Sequence, residues 1–163
     1  LQDIHSTPSI VSDNPVLGQL ITNDLQYDSR SAFTLSLNHR NTYTGITDRD
    51  RALTTRRFGE LAGEVNELSA SEAMEALGRE FRTPGHIPLC RESPGGLSKR
   101  QGHTELAVAI ARLSGNIPCT IGAEMLDPEG DGALSLQEAR KYAEEHGIPM
   151  ITGNDILESM DMV

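Results

Sequence analysis

Apolar and polar residues alternate from Phe33 through Thr34, Leu35, Ser36 and Leu37, a period of two that predicts a strand with one buried face. His39-Arg40-Asn41 then reads as a short turn, and Thr42 to Ile46 as a returning strand. At Thr47 the pattern changes. Thr47-x-x-Asp50 has the form of a helix start, and RALTTRRFGELAG continues it. Ser69, with Glu72 three residues on, opens a second helix that runs to about Phe81. Pro84 breaks it, and GHIPLCR reads as a strand, followed by a Gly/Ser/Pro loop at 92–98. The clearest helix covers about 103–114, with Leu106, Ile110 and Leu113 on one face and Gly115 as its terminator.

Residues 117–126 predict a strand with Cys119, Ile121, Ala123 and Met125 on one side. A helix over about 136–146 turns Leu136, Ala139 and Ala143 inward, PMIT forms a short last strand, and NDILESM a terminal helix. Residues 1–29, with Pro8, Pro15 and Gly18, show no sustained period and read as mostly irregular. Strands alternating with helices predict an α/β (α+β) fold, a layered sandwich of mixed sheet and helices, formed by residues 1–163 as a single domain.

The chain has 163 residues, 37% of them hydrophobic and 23% charged, enough apolar matter to fold around a core. A net charge of −10 speaks against a nucleic-acid or anionic-membrane partner. No apolar run approaches the ~20 residues of a membrane helix. Cys90 and Cys119 are too few for a disulfide framework and suit a reducing cytoplasm.

The stretch DPEGDGALSLQE at 127–138 has the ligand spacing of a calcium loop, with Asp127, Glu129, Asp131, Gly132 and Glu138 in register. The same residues have simpler uses. Ser135 and Glu138 make a capping box, while Gly130 and Gly132 form a turn solvated by Asp127 and Asp131. Pro118 and the period of two before the loop argue against the helix that a calcium hand requires upstream.

Chemistry concentrates in KRQGHTELAVAIARL, where two cations precede the opening of a helix. Unsatisfied N–H groups at a helix start cradle anions, Arg100 can clamp one, Thr104 can donate a hydroxyl, and His103 can bind metal or move a proton. On spacing alone, solvated cations and a plain polar His103 stand equally well, and Glu105 simply faces the helix dipole. His86, after a Pro-Gly turn, reads as a hydrogen-bonded structural histidine or a catalyst. Glu124, at the end of its strand, reads as an exposed terminus or as an acid–base group in the place where α/β sheets bind ligands.

FRTPGHIPLCRESPGGLSKRQGHTELAVAIARLSG, followed by AEML and ARKYAEEHGI, resembles 3,4-dihydroxy-2-butanone 4-phosphate synthases, in a form similar to archaeal members. SAFTLSLNHRNTYTGITDRDRALTTR matches the second signature block, and the likeness covers about residues 30–158. The resemblance implies a lyase of riboflavin biosynthesis that converts D-ribulose 5-phosphate to L-3,4-dihydroxy-2-butanone 4-phosphate and formate. It implies a cytoplasmic homodimer with active sites near the subunit interface, and Mg²⁺ or Mn²⁺ as a pair of ions. It further implies that His86 and Glu124 are catalytic, that Thr44, Arg100, Gln101, Gly102, His103, Thr104 and Glu124 bind substrate, and that His103 ligates metal.

Two departures qualify the likeness. The family carries an acidic element near its start, whereas here no Glu precedes Glu60 and the chain begins at Leu1. The expectation is therefore that an upstream part of the domain is missing and that this chain alone does not complete the metal site. The loop at 127–138 is longer than the family's acidic turn. Two alternatives follow: an inactive remnant of the fold, or a calcium-binding module.

Overall fold

The computed structural model describes residues 13, 15–20 and 32–161. Its elements are α1 (Pro15–Leu20), β1 (Phe33–His39), α2 (Asp48–Glu64), α3 (Ala70–Glu80), β2 (Phe81–Cys90), α4 (His103–Leu113), α5 (Leu136–His146) and α6 (Gly153–Ser159), with short 3-10 turns at Val65–Glu67 and Gly96–Ser98. The fold is α+β, and the sheet among the described residues is the antiparallel pair β1–β2. The chain divides into two compact units, Leu1–Arg57 with Leu68–Glu92 and Phe58–Glu67 with Ser93–Val163. α1 starts on Pro15, whose fixed φ and missing N–H suit a first helical turn, a short helix within the stretch expected to be mostly irregular. The rest of that stretch lies outside the described residues.

In the first unit, β1 pairs with β2 from Phe33↔Cys90 to His39↔Phe81. The register slips in the middle: Leu37 faces Ile87 while its neighbour Asn38 faces Arg82, so Thr83 to His86 bulge out of the ladder. β2 thus starts at Phe81, ahead of Pro84, because α3 ends when Phe81 turns extended, at φ −120° and ψ 161°. The alternating face of β1 is buried only at its far end. Leu37 is covered together with Asn38 and His39, whereas Phe33 and Leu35 are exposed.

The predicted strand at 42–46 is a loop. Gly45 stands at φ +90°, and Tyr43, Thr44 and Gly45 all turn their N–H groups toward the Asp50 carboxylate. An extended strand sends successive N–H groups to opposite sides, so the two arrangements exclude each other. α2 begins where predicted, with Thr47 Oγ1 accepting the Asp50 N–H. Thr54 ties the helix to the sheet: its hydroxyl donates to Asp50 O and accepts the His39 N–H, each at 3.0 Å. α3 carries the complete Ser69/Glu72 capping box.

In the second unit the core forms around Leu97, Ala109 and Ile156, with Leu106 and Leu157 against them. Burying a large aliphatic side chain stabilises by about 1.5–3 kcal/mol. The covered face of α4 therefore follows Glu105, Ala109 and Leu106, while Ile110 and Leu113 of the predicted stripe are exposed. Residues 117–126 form no strand: Pro118 has no N–H to give, and among the described residues only Leu126 makes a bridge, to Ala133. PMIT is likewise unpaired, and its Thr152 instead caps α6 through a reciprocal box with Asp155. On α5, Ala143 is buried and Ala139 half-buried, but Leu136 points to solvent because it occupies the first helical position after the Ser135 cap. No helix among the described residues is long and apolar enough to cross a membrane.

Candidate active site

The first-unit constellation centres on Asn38. The bulge Thr83–His86 closes over it, with Gly85 N–H donating to Ser36 Oγ at 3.2 Å and His86 N–H to Asn38 Oδ1 at 2.9 Å. Gly85 is there for close approach: a Cβ would sit 2.0 Å from the Leu37 carbonyl carbon. The His86 side chain is exposed beside this anchor. Thr44 is exposed too, its N–H donating to Asp50 Oδ2 at 3.1 Å and its hydroxyl at 3.4 Å. Three backbone N–H bonds, that of Gly45 first, hold the Asp50 carboxyl below its ordinary 3.8 even though burial pushes it up.

In the second unit, Gly102 caps α4 without a side chain, so the first N–H groups of the helix, those of His103 and Thr104, receive no cap from it. Arg100 folds back across this helix start. Its guanidinium donates to Glu105 Oε2 at 2.5 Å, and Glu105 Oε1 accepts the Ser93 N–H at 2.8 Å. The close pass of Arg100 requires Gly102, where a Cβ would lie 1.9 Å from Arg100 Nη1. Glu105 is thus a buried clasp joining three pieces of chain, a role beyond the helix-dipole reading. Burial pushes its pKa up, but the Ser93 and Arg100 hydrogen bonds together outweigh that and hold it below 4.5.

His103 Nε2 and Glu124 Oε1 lie 3.7 Å apart, both largely open to solvent. The structure thus joins two sequence-predicted residues, although Glu124 sits on an unpaired segment rather than at a strand end. Gln101 is exposed beside them in sequence. A cleft of about 700 Å³ opens elsewhere in this unit, lined by Arg140, Glu144, Ile148, Met150 and Asp155 among others. It contains none of the predicted site residues, and one cation against two carboxylates does not suit a phosphate. Asp127 Oδ1 accepts the Glu129 N–H at 2.9 Å, so the 127–138 loop closes on itself, with no helix before it.

Sequence reasoning missed Asn38, Asp50 and Glu105. The signals lay close by: Asn38 sits next to the predicted turn, and Glu105 falls at the third helical position after Arg100 and Gly102. Their folded pKa values give a first prediction. Asp50, Glu105, Glu72 and Asp155 are all held below their ordinary values, each by hydrogen bonds, and for Glu105 against a dominant burial effect. A lowered folded pKa stabilises fully above the unfolded value, and the contribution is lost as pH falls through the folded one. Urea midpoints are therefore expected to stay level down to the ordinary Glu value of 4.5 and then to fall steadily.

A family model described as 3,4-dihydroxy-2-butanone 4-phosphate synthase matches residues 11–159. A protein of that name from Archaeoglobus fulgidus is 50% identical over 135 residues, spanning 83% of this chain and 55% of that protein. One from Methanosarcina mazei is 42% identical over 161 residues, 98% of this chain and 63% of that protein. A crystal structure of 3,4-dihydroxy-2-butanone 4-phosphate synthase from Candida albicans superposes with a TM-score of 0.62 at 32% identity, covering 80% of this chain and 60% of that one. The chain therefore spans between 55% and 63% of the length of these relatives.

Proposed function

This chain belongs to the 3,4-dihydroxy-2-butanone 4-phosphate synthase family, and we propose that it serves the family's reaction in riboflavin biosynthesis, taking D-ribulose 5-phosphate to L-3,4-dihydroxy-2-butanone 4-phosphate and formate. The observation that carries this is the His103–Glu124 pair, 3.7 Å apart beside a helix start that glycine caps and arginine crosses. That start suits a phosphate: amide N–H groups, the Thr104 hydroxyl, and the neighbouring Arg100 and Gln101 supply donors to the sugar phosphate. Remote anchoring of this kind lends binding energy to the reacting carbons.

The reaction enolises a ketose, removes a hydroxyl, rearranges the carbon skeleton and releases formate, and each stage moves protons. Glu124 takes the role of carboxylate acid–base group, His86 that of the imidazole, and Thr44 lines the site. A nitrogen and an oxygen donor that close together, both open to solvent, fit a divalent cation such as Mg²⁺ or Mn²⁺, and no third His, Cys, Asp or Glu joins them among the described residues. His103 and Glu124 would hold such an ion, and two such ions would supply Lewis-acid polarisation of the ketose and enediolate oxygens. The same reading takes the working protein to be a cytoplasmic homodimer, in keeping with exposed apolar side chains such as Phe33, Leu35 and Ile121.

The test is formate release from ribulose 5-phosphate and Mg²⁺ by the purified protein that carries this chain. His103→Ala and Glu124→Ala are expected to lower kcat by about 10²–10⁴-fold while leaving the circular dichroism spectrum unchanged, since both side chains are exposed. A wild-type protein that binds the sugar phosphate but releases no formate would point to the inactive remnant and overturn the proposal.

A further inference from the structure

Asn38 is buried, 4% exposed, and its carboxamide meets His86 twice. Oδ1 accepts the His86 backbone N–H at 2.9 Å. Ring Nδ1 lies 3.1 Å from Asn38 Nδ2 and 3.4 Å from Oδ1. A backbone N–H can only donate, so the amide atom facing it is the carbonyl oxygen, and this sets which way the carboxamide points. Its other arm is then an NH₂, which also only donates. This donor is the nearer of the two amide atoms, at 3.1 Å against 3.4 Å for an oxygen that already accepts the His86 backbone N–H, so ring Nδ1 meets it with a lone pair.

With Nδ1 accepting, an uncharged imidazole carries its proton on Nε2, at the ring edge away from Asn38.

We propose that Asn38 is a positioning residue that holds His86 as the Nε2–H tautomer, so that His86 serves the reaction as a hydrogen-bond donor to a substrate oxygen and not as a proton-accepting base. This rests on the assignment of His86 as a catalytic group under Proposed function. An Nε2–H imidazole has no lone pair at that edge, so it polarises a carbonyl or enediolate oxygen without taking its proton. Proton abstraction is then left to a carboxylate.

Isosteric Asn38→Asp reverses the arrangement, since a carboxylate only accepts and draws the ring proton to Nδ1. Long-range ¹H–¹⁵N spectra of the imidazoles in the ¹⁵N-labelled protein read the tautomer directly. The wild type is expected to show a bare Nδ1, with a through-hydrogen-bond coupling to the Asn38 side-chain nitrogen. Asn38→Asp is expected to carry the proton on Nδ1, with kcat for formate release lowered about 100-fold and KM moved less than about twofold. A proton on Nδ1 in the wild type, or an unchanged tautomer in a folded Asn38→Asp protein, overturns the proposal. Should the variant fail to fold, the wild-type coupling decides the matter alone. A wild type that makes no formate sinks the function, and the imidazole spectra then still decide what Asn38 does to the ring.

Discussion

Glu105→Ala is expected to destabilise the protein by about 3–5 kcal/mol, the usual cost of removing one member of a buried ion pair. The Glu105 side chain is fully buried and that of Arg100 only 23% exposed, so alanine takes the carboxylate away from the Arg100 guanidinium and leaves the Ser93 N–H without this acceptor. Against a typical total stability of about 5–15 kcal/mol, that is a large fraction. The loss is expected as a fall in urea midpoint at unchanged slope, and the loss of stability in acid should become shallower, because one of the depressed carboxyls is gone. Glu105→Gln keeps an acceptor for Ser93 and should fall between wild type and alanine. An alanine variant with the wild-type midpoint would show that the clasp does not hold this helix start together. Variants of the exposed His103 and Glu124 are expected, by contrast, to cost activity and little stability.

Gly85→Ala is the second large effect. Its new methyl group would meet backbone, 2.0 Å from Leu37 C and 2.3 Å from Asn38 N, where no rotamer change gives relief. Overpacking typically costs about 1–3 kcal/mol, and a clash with the backbone of the partner strand belongs at or above the top of that range. The bulge must lift off β1, so the His86 N–H to Asn38 bond is expected to break and formate release to fall with it. Gly59→Ala is the matched control. Gly59 lies within α2, and a methyl group added there would meet nothing within 4 Å beyond its own helix, so alanine should stabilise by about 0.5–1 kcal/mol. Thermal melts of the two variants are expected to move in opposite directions. A Gly85→Ala melt that matched wild type would mean the bulge does not press on β1 as described.

The helices were the legible part of this fold. α3, α4 and α5 start and end close to where Ser69, Gly102 and Ser135 and the glycines at 115 and 147 mark them, since a helix satisfies its hydrogen bonds within a few residues. Of the capping box expected at Ser135 and Glu138, the Ser135 half forms, with Ser135 Oγ accepting the Glu138 N–H. Three of the five predicted strands, at 42–46, 117–126 and 149–152, are absent from the structure described. Alternation marks a chain able to lie in a sheet, but the ladder depends on a partner that local pattern cannot name. The candidate chemistry divides in the same way. His86, His103 and Glu124 stand out by residue type and motif, whereas Asn38, Asp50 and Glu105 are ordinary polar residues until burial gives each a single set of partners.

What could be read along the chain was therefore whatever is settled between neighbours: helix limits, the glycine-capped start at 102, and a motif order specific enough to identify the family. Contacts across long sequence separations settled the rest. Asn38 meets His86 across 48 residues, and Glu105 reaches back 12 residues to Ser93. The proton position on a ring and the set of a helix start both depend on which group is pressed against which once water is excluded, and that is a property of packing in three dimensions.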